Sequence, residues 1–210
     1  MKYIIMCGGY VCNWKNPKHF WTFKGEPIIK RIIRQLKENG IKSKDLYITT
    51  SEKCVLLYKG LGAKVIPYES NNTPYEWVDC FYPTDEPVCY IFGDVVYSDE
   101  AIKTIINTET DDIEFFASAP PFPPEYPKPY AEPFCFKVVN QQKLHECVEK
   151  VKEWNRMRLW DRDPIAWELW QVIKNTPRNR IDYTNYTVIN DYTCDMDWEH
   201  EQAQWGPNNI

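Results

Sequence analysis

Tyr3-Ile4-Ile5-Met6-Cys7-Gly8-Gly9 opens the chain, and Asn16-Pro17-Lys18 and Lys24-Gly25-Glu26-Pro27-Ile28-Ile29 follow it closely. The first five residues are apolar without alternation, the pattern of a strand buried on both faces of a parallel sheet. Glycines placed directly after such a strand let main-chain N–H groups turn outward toward phosphate or nucleobase oxygens. Lys15 and Lys18 add positive charge just downstream. A nucleoside triphosphate needs both such a loop and such a charge.

Outward from this loop, Pro27 suits a first helical position, and Ile28, Ile29, Ile32, Ile33 and Leu36 form one apolar stripe. Lys30, Arg31, Arg34, Lys37 and Glu38 fall on the opposite face, and Asn39-Gly40 is a stop signal. Asp45 to Thr50 reads as a second strand. Together these make a βαβ unit whose ligand should lie at the C-terminal ends of the strands. The alternation continues with a short helix over 52–61, a strand over 63–66, and a buried strand Val88 to Phe92 that ends in Gly93-Asp94. A helix over 99–106, a strand over 113–117, a strand over 134–139 and an amphipathic helix over 141–152 follow. Seven prolines between Ala119 and Pro133 forbid helix or central strand there. Asp163-Pro164 reads as another helix start, with Ile165, Leu169, Val172 and Ile173 as its core stripe. Val188-Ile189-Asn190-Asp191 reads as a closing strand.

At 210 residues and a net charge of −5, the chain fits one α/β domain without general attraction to nucleic acid or an anionic membrane. No apolar run is long enough to span a bilayer, and the first one is too short for a signal peptide. The eight cysteines are scattered through apparent strands and helices without a C-x-x-C pair, which predicts reduced thiols in a cytoplasm and no zinc site.

Met6-Cys7-Gly8-Gly9, Asn16-Pro17-Lys18 and Phe23-Lys24-Gly25-Glu26-Pro27-Ile28-Ile29 resemble the signature of the GT-A-like nucleotidyltransferases, which make NDP-sugars, CDP-alcohols and the molybdopterin dinucleotide. The resemblance implies a three-layer α/β/α fold with a mostly parallel, Rossmann-like sheet. It also implies a nucleotide-binding part over 1–118, an acceptor-binding part over 119–186, and a closing strand and helix over 187–210. Cys7, Gly8 and Gly9 would belong to the nucleotide loop, Lys18 would neutralise the phosphates, and Lys15 would replace the charge of a usual arginine. That arginine's place is Asn13 here, and the place of a further usual glycine is Val11. Asn72 and Thr73 would touch base and ribose, and Gly93-Asp94 would end the strand whose aspartate binds Mg²⁺. Asp191 matches the first acid of the family's closing motif, a second metal carboxylate, and Asp197 its last. The implied reaction is Mg²⁺-dependent transfer from an NTP, with CTP favoured, to a sugar phosphate or phospho-alcohol for surface-polymer precursors. A homodimer is compatible with it.

Several residues have a plainer reading beside the functional one. Asp94 could cap the helix beginning near Ser98, and Asp195 could cap a terminal helix. Lys137 could reach an acceptor phosphate or be a solvated lysine. Arg178 suits a bidentate grip on an acceptor phosphate. Trp154, Trp160, Trp167 and Trp170 read mostly as core, with a substrate-pocket floor or a quaternary-ammonium cage as the alternative. Two other classes of function are a glycosyltransferase of the same fold, which commonly carries Asp-x-Asp, and a non-catalytic nucleotide-binding module.

Overall fold

The computed structural model describes residues 1–8, 17–70, 76–119, 131–177 and 183–196. Strand β1 (Lys2–Cys7) leads, through the small ribbon of β2 (Thr22–Phe23) and β3 (Glu26–Pro27), into helix α1 (Ile28–Glu38). Pro27 ends the ribbon one residue before the helix, where its missing N–H leaves no bond unmade. Strand β4 (Leu46–Ser51), the one-turn helix α2 (Val55–Tyr58) and β5 (Lys64–Tyr68) follow. Then come β6 (Val88–Phe92), β7 (Val95–Val96), α3 (Asp99–Asn107), β8 (Ile113–Ala117) and β9 (Pro133–Val138). Helices α4 (Gln141–Arg156) and α5 (Ala166–Ile173) and the short strands β10 (Thr187–Val188) and β11 (Cys194–Asp195) close the described chain.

The seven-stranded sheet has the order β10-β8-β9-β6-β1-β4-β5. Strands β6, β1, β4 and β5 run parallel, as β8 and β10 do, and only β9 runs against its two neighbours. The sequence reading of β1 explains why the sheet is covered on both sides. Tyr3, Ile5 and Cys7 join Ile29, Ile32, Leu36, Ala101 and Ile105, the stripes of α1 and α3. Ile4 and Met6 join Leu144, Val148, Val151, Leu169 and Val172 of α4 and α5. A strand with both faces occupied gains roughly 1.5–3 kcal/mol per buried large apolar side chain. The layers are therefore helix, sheet, helix. No helix among the described residues is long and apolar enough to cross a membrane, and no disulfide forms among the described cysteines.

Trp167 and Trp170 follow their core reading, and Lys137 departs from both of its readings. Asp195 lies in β11, paired antiparallel with β7, and the terminal helix it was expected to cap lies outside the described residues. Trp167 and Trp170 are core side chains, Trp167 donating from Nε1 to Ala131 O at 2.7 Å with its ring edge-on to Phe115. Lys137 is neither a solvated lysine nor an acceptor ligand. It pairs with Cys89 near the start of β6, at the end of the sheet remote from Asp94, and its side chain is buried. Its Nζ donates to Ile105 O, Ile106 O and Thr108 O at 3.1, 2.8 and 2.6 Å, the carbonyls left open at the end of α3. Lys137→Met should therefore lower unfolding free energy by about 2 kcal/mol, the loss expected when charge-assisted bonds to buried carbonyls go unmade. Urea unfolding measures it, and an unchanged midpoint would contradict the capping role.

Candidate active site

The chain runs from β1 to β4 and β5 on one side, then crosses to β6 on the other side of β1. Connections leave in opposite directions at such a reversal, and a crevice opens above the C-terminal strand ends. Cys7-Gly8 at the end of β1, Thr50-Ser51 at the end of β4 and Gly93-Asp94 after β6 meet there. Thr50 Oγ1 donates to Cys7 O at 3.0 Å and ties two of these ends together.

Both glycines answer to contacts with the protein itself. Gly93 N donates to Met6 O at 2.9 Å, extending the β1–β6 ladder by one bond. A β-carbon on Gly93 would lie 2.7 Å from Met6 O and from Cys7 Sγ, and 3.1 Å from His19 Cδ2. One on Gly8 would collide with Cys80 Sγ and the Tyr68 hydroxyl. Close approach is thus the visible reason for glycine at each position.

Asp94 follows Gly93 directly and forms an ion pair with Lys18; their side chains are 22% and 21% exposed. Burial pushes the Asp94 carboxyl upward, but the Lys18 ammonium beside it outweighs that, and the group is held below the usual carboxylate value. Lys18 starts a one-turn 3₁₀ helix, Lys18–Phe20, entered through the extended Pro17. His19, next on that turn, is 2% exposed. Burial lowers its pKa to about 4, Asp94 opposing the shift and Lys18 assisting it, so the ring is neutral at pH 7. Its Nδ1 lies 2.8 Å from the Tyr58 hydroxyl. Burial, with Cys80 and Asp94 nearby, pushes the Cys7 thiol up, so it stays protonated. His19, Tyr58, Thr50 and Cys80 were not singled out from sequence. His19 alone carried a signal, its adjacency to Lys18 on a turn too short to turn both side chains to solvent.

Asp191 does not lie where the closing motif was expected to bring it. Cys194 pairs with Val96 and Asp195 with Val95, and Met196 N donates to Asp94 O at 3.0 Å. The register therefore brings Met196 beside Asp94 and leaves Asp191 further along. Asp191 instead accepts from Ser98 Oγ at 2.5 Å and from Thr193 N at 2.7 Å, while Ser98 caps α3 through Ala101 N. Its carboxylate buttresses a helix start and is not placed as a second metal ligand. Among the described residues no group of three or more His, Cys, Asp or Glu side chains is assembled for a metal. One buried-edge carboxylate still fits Mg²⁺, which is commonly held by one or two carboxylates with waters and substrate phosphates completing its shell. Gly9, Lys15, Asn72, Thr73, Arg178 and Asp197 lie outside the described residues.

The fold has solved counterparts. An inositol-1-phosphate CTP transferase from T. maritima aligns at a TM-score of 0.58 and 15% identity, over 100% of this chain and 97% of that one. A 2-C-methyl-D-erythritol 4-phosphate cytidylyltransferase from Thermus thermophilus aligns at 0.58 and 10%, over 97% and 96%. The CTP:phosphocholine cytidylyltransferase LicC from Streptococcus pneumoniae aligns at 0.54 and 14%, again over 97% and 96%. No family model matches the sequence, and no curated protein does. At these identities the likeness is one of fold, and it covers nearly the whole chain.

Two outcomes follow from the packing. Gly93→Ala should destabilise the protein by about 3 kcal/mol, because the β-carbon meets backbone oxygen that cannot yield; an unfolding midpoint like that of the parent protein would contradict the close crossing. The neutral, buried His19 makes the unfolded chain bind its proton more readily than the folded one. Its contribution is therefore lost as pH falls from the ordinary value of 6.5 toward about 4. Urea midpoints across that window should fall more steeply in the parent protein than in His19→Phe.

Proposed function

We propose that the chain is a nucleotidyltransferase that joins an NTP, with CTP favoured, to a sugar phosphate or phospho-alcohol and releases pyrophosphate. The observation that carries this reading is the Lys18–Asp94 pair, fixed by Gly93 in the switch-point crevice. A solved likeness to three enzymes whose names specify CTP or cytidylyl transfer supports the choice of class and base.

In the reaction an acceptor phosphate oxygen attacks the α-phosphorus in line. The new P–O bond forms as the bond to the β-phosphate oxygen breaks, and pyrophosphate carries the electron pair away. The chain's part is positioning and charge neutralisation. With nucleotide present, Lys18 has phosphate oxygens as alternative partners and can neutralise charge that grows on them in the transition state. Asp94 would hold Mg²⁺, whose bound role is to neutralise phosphate charge and hold the triphosphate in one geometry. Cys7 and His19 are both buried, and Cys7 stays a protonated thiol, so neither is presented to substrate as a nucleophile. The product would be a nucleotide-activated sugar or alcohol for surface-polymer synthesis in the cytoplasm.

A glycosyltransferase of the same fold is the second reading, and the strand after Gly93 weighs against it. Where Asp-x-Asp would place a second acid, the chain has Val95 and Val96, both fully buried and paired with β11. Pyrophosphate release, measured with each ribonucleoside triphosphate against a panel of phosphorylated sugars and alcohols in Mg²⁺, tests the proposal. Turnover should appear with CTP and one acceptor class, and silence across the whole matrix would overturn it. Asp94→Asn should lower kcat by about a thousandfold with an unchanged circular dichroism spectrum. Lys18→Ala should lower kcat far more than it weakens nucleotide binding.

A further inference from the structure

We infer that Tyr58 and His19 form a positioning pair that sets Lys18 against Asp94, and that turnover depends on the Tyr58 hydroxyl. The inference rests on the nucleotidyltransferase reading for its effect on rate, but its geometry stands apart from that reading.

Lys18 sits on a short turn. The 3₁₀ helix has three residues, and its main-chain bonds are Phe20 N to Pro17 O at 2.9 Å and Trp21 N to Lys18 O at 3.0 Å. Such a turn is poorly self-supporting. The two residues after Lys18 anchor it. The His19 ring is pressed against Gly93, the residue before Asp94, so closely that its Cδ2 would lie 3.1 Å from any β-carbon there. On its other side Nδ1 meets the Tyr58 hydroxyl at 2.8 Å, and Phe20 packs on the Tyr58 ring at 5.1 Å between centroids.

Tyr58 is 1% exposed, and a phenylalanine would fill the same apolar volume. A buried hydroxyl costs free energy unless it is bonded, so its presence needs a partner. The partner its hydroxyl meets is His19 Nδ1, at 2.8 Å. Tyr58 packs in the same buried cluster as Cys7, the last residue of β1, so the turn that carries Lys18 is tied through Tyr58 to that strand end. Lys18 is thereby referred to the same strand, β1, against which Gly93 fixes Asp94. Loss of this reference lets the ammonium drift without unfolding the sheet. A drift of about 1 Å in a charge-stabilising group is enough to cost one to two orders of magnitude in rate.

The experiment compares Tyr58→Phe, His19→Phe, their double variant, and His19→Asn, whose amide can replace Nδ1. Tyr58→Phe should lower kcat about tenfold while the KM for the nucleotide stays within about twofold. His19→Phe should lose at least as much, His19→Asn should recover part of that loss, and the double variant should be no slower than His19→Phe alone. Wild-type kcat in Tyr58→Phe, or losses that multiply in the double variant, would overturn the pair. A second readout needs no turnover: the rate at which an amine-reactive ester acylates Lys18, followed by peptide mass spectrometry. That rate should change several-fold in Tyr58→Phe and His19→Phe with other lysines unaffected, and an unchanged rate would overturn the positioning role. If the wild-type chain transferred no nucleotide at all while Lys18 labelling responded as expected, the functional reading would fall and the positioning pair would stand.

Discussion

The close crossing at Gly93 governs the rest of the site. The β1–β6 ladder runs through Met6 and Phe92, and Gly93 N adds one more bond, to Met6 O. One residue later Asp94 O accepts from Met196 N, and Val95 and Val96 pair with β11. Asp94 is thus held by main-chain bonds on both sides, and its carboxylate has little freedom to retreat. No β-carbon fits at Gly93 because the His19 ring and the Cys7 thiol take the space beside it. The turn that bears Lys18 is drawn in by that contact, and the ion pair is a consequence of the crossing.

Electrostatics then acts locally. A chain of net charge −5 does not draw a triphosphate to itself by its overall field. A cation held about four-fifths out of water beside a fixed carboxylate is a different matter. The two charges cancel while they face each other, and each lowers the cost of burying the other. A ligand bearing both phosphate and a divalent cation offers each a new partner of the right sign. His19 adds bulk and a hydrogen bond without adding charge, because burial keeps it neutral.

Periodicity made the frame legible. The unbroken apolar run of β1, the stripe of α1 with its Asn39-Gly40 stop, and the strand over 113–117 all lie where their patterns put them. What pattern could not carry was register between distant segments. Asp191 and Asp94 each end or follow a strand, yet the pairing of Cys194 with Val96 sets them apart and brings Met196 to Asp94. Lys137 reads as a charge in an apolar run, and only the approach of α3 to β9 shows three carbonyls waiting for it. Tyr58 sits on a one-turn helix where a longer one was expected over 52–61, so no stripe marked its inward face. Short elements are fixed by tertiary contact, and their residues carry little local signal.

The central claim is that the crevice between β1 and β6 is a nucleotide site built on Lys18 and Asp94. Backbone amide shifts during titration with Mg²⁺ and CTP test it most directly. The account predicts saturable shifts concentrated at Gly8, Lys18, His19, Gly93 and Asp94, with α4 and α5 unmoved. Saturable shifts confined to other parts of the sheet, or none with any nucleoside triphosphate, would contradict it.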